Sequence, residues 1–225
     1  IKRELEDLAY LKRERALVGM SAGFQHVFSL LPTFFHYNHP ELPGFLDEDT
    51  PSGIAYYQPT NKLIEQLKHN FNITVPSSVS VADISALYSM GSTCSIGQSM
   101  DSDLDIWICI ENSLSESLKQ ALQKKCRLIE AWAAQFHVKL TLFVVDVDRF
   151  IEKHHECLMG ENCGTAQHML LLEEFYRSAN LLAGKLLLWF VVPINFTVND
   201  TNYQSYETCV NALVELKMIS REEWI

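Results

Sequence analysis

The stretch LDIWICI (Leu104–Ile110) limits how this chain can fold more than any other. It sets an aspartate inside an apolar run whose length suits a strand. Side chains alternate across a strand, so Asp103, Asp105 and Trp107 share one face. Leu104, Ile106 and Ile108 share the other and require a core. Two strand steps put the aspartate Cα atoms roughly 6.6–6.8 Å apart, where their charges repel. A solvated acidic turn would relieve the repulsion but does not explain acids that run into a strand. A shared cation does: paired carboxylates make a hard oxygen site suited to Mg²⁺, and two-metal sites hold their ions about 3.5–4 Å apart.

The residues upstream, MGSTCSIGQSMDSD (Met90–Asp103), narrow the chemistry. Gly91 has no Cβ, so the backbone there can approach a phosphate closely. Ser92 adds a hydroxyl donor, and a helical turn beginning near it would aim free N–H groups at an anion. Ser95, Ser99 and Ser102 could act similarly, although serines in such loops are usually turn formers. An EF-hand is excluded, because Ile106 stands where its glycine belongs and Asn112 where its bidentate Glu belongs. A P-loop is excluded by the Gly91–Gly97 spacing and the lack of a following GK[ST]. In glycosyltransferases with a DxD motif the acidic pair usually follows its strand, whereas here it precedes one.

The periodicities predict alternating elements. Leu5, Leu8, Leu11, Ala16, Met20 and Phe24 recur at helical spacing, so a helix is expected from Lys2 to about Leu31, stopped or bent by Pro32. Residues 36–59 read as a loop and Asn61–Asn70 as a short helix. Ser85–Met90, Leu104–Ile110 and Val138–Asp146 read as strands. Ser113–Phe136 is a strong helix with Ser113 or Ser115 as N-cap. A further helix is expected over GTAQHMLLLEEFYRSANLLAG, closed by Gly184, then a fourth strand in KLLLWFVVP (Lys185–Pro193) and a helix in YETCVNALVELK. This order predicts an α/β (α+β) sheet with flanking helices. The expected organisation is a helical segment over 1–80, a catalytic core over 81–195 and C-terminal helices over 196–225.

Charge constrains the partners. The chain has 18 Lys+Arg against 28 Asp+Glu, with no basic cluster of the size that holds a long nucleic acid. A small anionic substrate remains open if a metal ion supplies positive charge. The six cysteines form no CxxC pair and fit reduced cytosolic thiols. Three N-x-T tripeptides, at Asn72, Asn195 and Asn199, come with no signal peptide and carry no weight. No apolar run reaches the ~20 residues of a membrane span. The chain opens inside an amphipathic pattern and stops at REEWI, so a piece of a longer, cytoplasmic protein is expected.

Gly91-Ser92, a ten-residue gap and Asp103-x-Asp105 resemble the nucleotidyltransferase superfamily that includes DNA polymerase beta. The fuller string YSMGSTCSIGQSMDSDLDIWIC is much more specific. With LLPTFFHYNHPELPGFLD, AWAAQF, GTAQHMLLLEEFYR and LAGK, it resembles the catalytic domain of class I, enterobacterial-type adenylate cyclases over nearly the whole chain. That resemblance implies a nucleotidyltransferase-type mixed sheet and the conversion of ATP to cyclic AMP and pyrophosphate with two Mg²⁺ ions, Mn²⁺ serving as a substitute. It implies roles for Ser92, Ser102, Asp103, Asp105 and Trp107, and regulation tied to the sugar phosphotransferase system through regions outside this chain.

Such sites need a third carboxylate on a neighbouring strand. Asp146, at the end of the third strand, is the expected ligand or base, with Asp148 two positions on. Asp146 would equally begin a turn. Trp107 would stack on the nucleotide or wall off the site, against the simpler role of core filler. Lys185 and Arg177 are expected triphosphate contacts, or else complements to a helix dipole. His154-His155-Glu156 and His168 are given no role. Two other functions stay open: transfer of a nucleotidyl group to a separate acceptor, and nucleotide binding without catalysis.

Overall fold

The computed structural model describes residues 2–76, 78–95, 97–99, 102–111, 114–147, 174–175, 177–191 and 203–225, without the side chains of 189 and 203–207. Asp101, Asp148, His154, His155, Glu156 and His168 lie outside the described residues.

Where one N-terminal helix was expected there are two, α1 (Lys2–Leu17) and α2 (Ala22–His36). The break falls at residues 18–21, where Gly19 takes a φ of +83° and Ser21 caps α2 by accepting from the Phe24 N–H. Pro32 lies inside α2 and does not end it. A proline inside a helix costs about 3 kcal/mol. Here α2 buries Phe24, Val27, Phe28, Leu30, Leu31, Phe34 and Phe35, and each side chain of that kind returns about 1.5–3 kcal/mol. Packing therefore wins. α3 (Asn61–Phe71) follows, capped by Thr60.

The sheet contains β1 (Ala86–Met90), β2 (Leu104–Ile110), β3 (Leu140–Asp146) and β4 (Asn180–Gly184) in the order β3-β2-β1-β4. β1 runs antiparallel to β2 and β4, while β2 and β3 are parallel. α4 (Glu116–Ala134), capped by Ser115, joins β2 to β3. This is the mixed α/β architecture the sequence predicts. The fourth strand, however, is Asn180–Gly184, the tail of the expected helix. The apolar segment expected as a strand forms a bridge at Leu186 and a 3-10 turn at Leu188–Val191. Its continuous hydrophobicity had no period to separate a strand from another buried segment. α5 (Tyr203–Glu215) is followed by a 3-10 turn at Arg221–Glu223, and Trp224 makes the bridge to Leu186.

The two faces of the sheet pack differently. Leu104, Ile106, Ile108 and Ile110 of β2 and Leu140 and Leu142 of β3 join α2 and α4 in the main core. Trp107 and Cys109, with Ala86, Tyr88, Val145 and Phe175, form a smaller cluster on the other face. The alternation read from LDIWICI is thus present, and it places Asp105 on the face of this smaller cluster.

Candidate active site

The site lies at the end of the sheet where β1 finishes and β2 begins. Met90 pairs with Asp105, so Gly91 and Ser92 emerge beside the aspartates. Gly91 has a φ of +66°, a left-handed turn that favours glycine. A network within the loop then joins the two halves of the motif. Ser92 Oγ donates to Ser102 Oγ at 3.1 Å, and Thr93 Oγ1 donates to the Asp103 carbonyl at 3.1 Å. Ser95 Oγ donates to the Ser92 carbonyl at 2.6 Å, and Ser102 Oγ accepts from the Ser99 N–H at 2.9 Å. Helix α1 braces this loop from outside: Gln98 Nε2 donates to the Ala16 carbonyl at 2.9 Å.

The two carboxylates are placed unequally. Asp103 is half-exposed, and its only described ion pair is with Lys139, at 3.3 Å and on the surface. Asp105 is partly buried. Burial pushes its carboxyl above the ordinary value, a hydrogen bond from Thr141 opposes this, and the charge of Asp103 adds to the push. Ionised Asp105 is therefore held at a disadvantage that a nearby cation would remove. The donors are hard oxygens at the mouth of the sheet, beside a residue without a Cβ, and they fit Mg²⁺. Among the described residues, no group of three or more His, Cys, Asp or Glu stands ready to hold a metal ion.

Several expected residues lie elsewhere. Asp146 pairs in register with Ile110, five residues beyond the Thr141 that faces Asp105. That separates the two acids by roughly 16 Å along the sheet and puts them on opposite faces. Asp146 is buried and accepts from Lys119 Nζ at 2.8 Å. Lys185 follows β4 at that same far end and is bonded to Glu111 at 2.6 Å. Neither is brought to the aspartate pair. Trp107 does lie on their face, but it is 3 % exposed and stacked on Phe175, with centroids 4.8 Å apart and planes at 11°. Its ring is covered by protein and does not offer itself to a ligand. Arg177 sits with Phe175 and Ser178 among helical residues, as expected of this segment, at the site's end of the sheet, and Ser178 Oγ accepts from the Gly91 N–H at 3.3 Å.

Thr93, Thr141, Glu174 and Ser178 were given no role by sequence reasoning, which took only Arg177 from this segment. No spacing signal connects residue 91 to residue 178, since only folding brings them together.

The sequence profile of the family described as "Adenylate cyclase NT domain" matches residues 1–190. The chain belongs to this adenylate cyclase family. The chain is also similar, at 41 % identity over its whole length, to adenylate cyclases of Shigella flexneri and Escherichia coli K12, and at 38 % to that of Proteus mirabilis. It spans about a quarter of the length of these curated relatives, 26 % in each case. No solved structure matches it significantly. The expected family resemblance is thus shown. Among the described residues of this adenylate cyclase family member, no helix is long and apolar enough to cross a membrane.

Proposed function

We propose that this site converts ATP to 3′,5′-cyclic AMP and pyrophosphate. The observation that carries the reading is the joining of Ser92 to Ser102, which brings the Gly-Ser and Asp-x-Asp halves of the motif together in a member of an adenylate cyclase family. In the proposed reaction the ribose 3′-oxygen forms a bond to the α-phosphorus and its proton passes to water. The bond from that phosphorus to the bridging oxygen breaks, and pyrophosphate leaves with the electron pair. Both reacting groups belong to one molecule, so the protein's task is to fold the nucleotide into attack geometry.

Gly91 and Ser92 would receive the phosphates, the first by close backbone approach and the second by its hydroxyl, turned from Ser102 to the nucleotide. Asp103 and Asp105 would hold two Mg²⁺ ions, with Mn²⁺ as a substitute. When bound, these ions neutralise phosphate charge and acidify the attacking hydroxyl. Ser102 keeps Ser92 and the start of β2 in register. Trp107 would act as a wall, because its ring is already engaged by Phe175. Arg177 remains a proposed phosphate contact by its place in the fold. A cytoplasmic setting suits this substrate and the free, buried Cys94, Cys109, Cys126 and Cys209. Control linked to the sugar phosphotransferase system would act through regions beyond this chain.

The test is to incubate the full-length protein with α-labelled ATP and Mg²⁺ and no acceptor. Labelled cyclic AMP with equimolar pyrophosphate is expected. Label that appears only on an added protein or small-molecule acceptor would replace this reading with nucleotidyl transfer. Tight ATP binding with no product would reduce the site to a binding module.

A further inference from the structure

We propose that Glu174 is the third acidic ligand of the divalent cations at this site, delivered to it by an aromatic clamp. The inference rests on the cation-assisted reading above and names a residue outside the Gly-Ser and Asp-x-Asp motif, within the string GTAQHMLLLEEFYR.

The place for a third acid is open. On the face of β3 that Asp105 shares, the strand presents Thr141, Phe143 and Val145, none of them acidic. Asp146 is on the other face, engaged by Lys119. Glu174 reaches the site from a different direction. A Cβ built on Gly91 would lie 3.9 Å from Asp105 Oδ2 and 4.0 Å from Glu174 Oε1. Two carboxylate oxygens therefore flank the same glycine at nearly equal distance. The two oxygens lie within about 8 Å of each other across that glycine, a span that two cations about 3.5–4 Å apart, each about 2.0–2.1 Å from its oxygen, can bridge. The Glu174 carboxylate is exposed and makes no hydrogen bond or ion pair among the described residues, which leaves it able to swing inward.

The backbone that carries Glu174 is fixed by two independent contacts. Phe175 is buried, stacked on Trp107 and edge-on to Tyr88 at 5.4 Å. Ser178 Oγ donates to the Glu174 carbonyl at 2.8 Å while accepting from the Gly91 N–H. Trp107 is the next residue after Asp105 on the same strand face. The strand that places one acid therefore also provides the platform on which the helical residues with the other acid are seated. Phe175 is a positioning residue in this arrangement, acting through Glu174.

The experiment titrates the full-length protein with Mn²⁺, following free ion by electron paramagnetic resonance, and measures kcat and KM for ATP separately. Glu174→Gln is expected to weaken Mn²⁺ binding at least about tenfold, the lower end of what loss of a supporting group at a metal site causes. It should lower kcat more than it raises KM. Glu174→Asp should recover part of both. Phe175→Leu should shift Mn²⁺ affinity in the same direction by less. If Glu174→Gln binds Mn²⁺ like the wild type while Asp105→Asn does not, the role of Glu174 is overturned and the aspartate site stands. If Asp105→Asn also binds like the wild type, the cation site itself is overturned and this inference falls with it. If Phe175→Leu leaves Mn²⁺ binding unchanged while Glu174→Gln loses it, the clamp is overturned.

Discussion

The two ends of the sheet treat their acids in opposite ways. At the far end each carboxylate has a lysine: Asp146 lies 2.8 Å from Lys119, and Glu111 lies 2.6 Å from Lys185. The Lys185 hydrogen bond holds Glu111 below its ordinary value, against a smaller opposing effect of burial. At the near end Asp105 has a threonine and a second aspartate, and its carboxyl is pushed up. Among the described residues, Asp103 has only the exposed Lys139. Acids supplied with protein cations are structural and self-sufficient. Asp105, with no lysine or arginine partner among the described residues, and Asp103, whose lysine is solvent-exposed, suit a cation brought in from solution. The proximity of an acid to a strand end does not distinguish the two cases, but its partner does.

The strongest way to break this comparison is to neutralise the near end. Asp103→Asn or Asp105→Asn should reduce cyclic AMP formation by at least about 1,000-fold, the several kcal/mol that metal-held charge stabilisation supplies. Asp105→Asn should not lower the melting temperature at neutral pH in the absence of divalent cations. It removes a charge that burial and Asp103 both disfavour, so an unchanged or higher value is expected. Near-wild-type turnover in either variant removes the proposed role of the pair.

Neutralising the far end should give the reverse. Asp146→Ala removes the nearer and more buried of the two carboxylates beside the Lys119 ammonium and leaves Glu116 at 3.4 Å, so the loss should fall below the roughly 3–5 kcal/mol of a fully broken buried pair. Denaturant melts should show that loss, while kcat and KM of the remaining folded protein stay within about twofold. A selective loss of kcat with an unchanged melt would return Asp146 to the site.

This asymmetry explains what was legible in the sequence. The period-two alternation of LDIWICI gave both faces of β2, and the spacing from Gly91-Ser92 to Asp103-x-Asp105 gave the near end, because all its parts lie within one hairpin-like connection. Asp146 misled for a physical reason. An acid ending an apolar strand looks the same whether it faces a cation or a lysine, and Lys119 is 27 positions away on α4. Parity was informative but unusable without register: only the pairing of Asp105 with Thr141 shows that Asp146 points to the other face. Pro32 misled because its local penalty is readable and the burial that outweighs it is not. Arg177 was legible as a candidate but the place of Phe175 and Ser178 beside the motif was not, because only folding stacks Phe175 on Trp107 and brings Ser178 to Gly91.

A smaller effect tests how firmly the near end is knit. Ser92→Ala removes the hydrogen bond to Ser102, and a neutral bond of this kind contributes about 0.5–1.5 kcal/mol. We expect kcat/KM for ATP to fall by about two- to tenfold. Ser102→Ala should resemble it, and the double variant should lose less than the two single losses combined, since both remove one contact. Full additivity would show that each hydroxyl acts separately, for example on different phosphate oxygens.

The smallest expected effect is the one that sharpens the contrast in pH. Glu111 has a lowered pKa in the folded protein, so its contribution to stability is present above the ordinary Glu range and is lost as pH falls through the folded value. Asp105 has a raised pKa, so the cation-free protein binds that proton more tightly than the unfolded chain does. Its stabilising influence is present at acid pH and is lost as pH rises through the folded value. Glu111→Gln should therefore destabilise at neutral pH and become silent in acid, by less than about 1 kcal/mol because the Glu111 side chain is 54 % exposed. Asp105→Asn should change stability with pH in the opposite sense, and saturating Mg²⁺ should erase that dependence by supplying at the near end what Lys185 already supplies at the far one. Parallel pH profiles for the two variants would mean that the ends of the sheet do not differ electrostatically, and the proposed cation site would lose its physical basis.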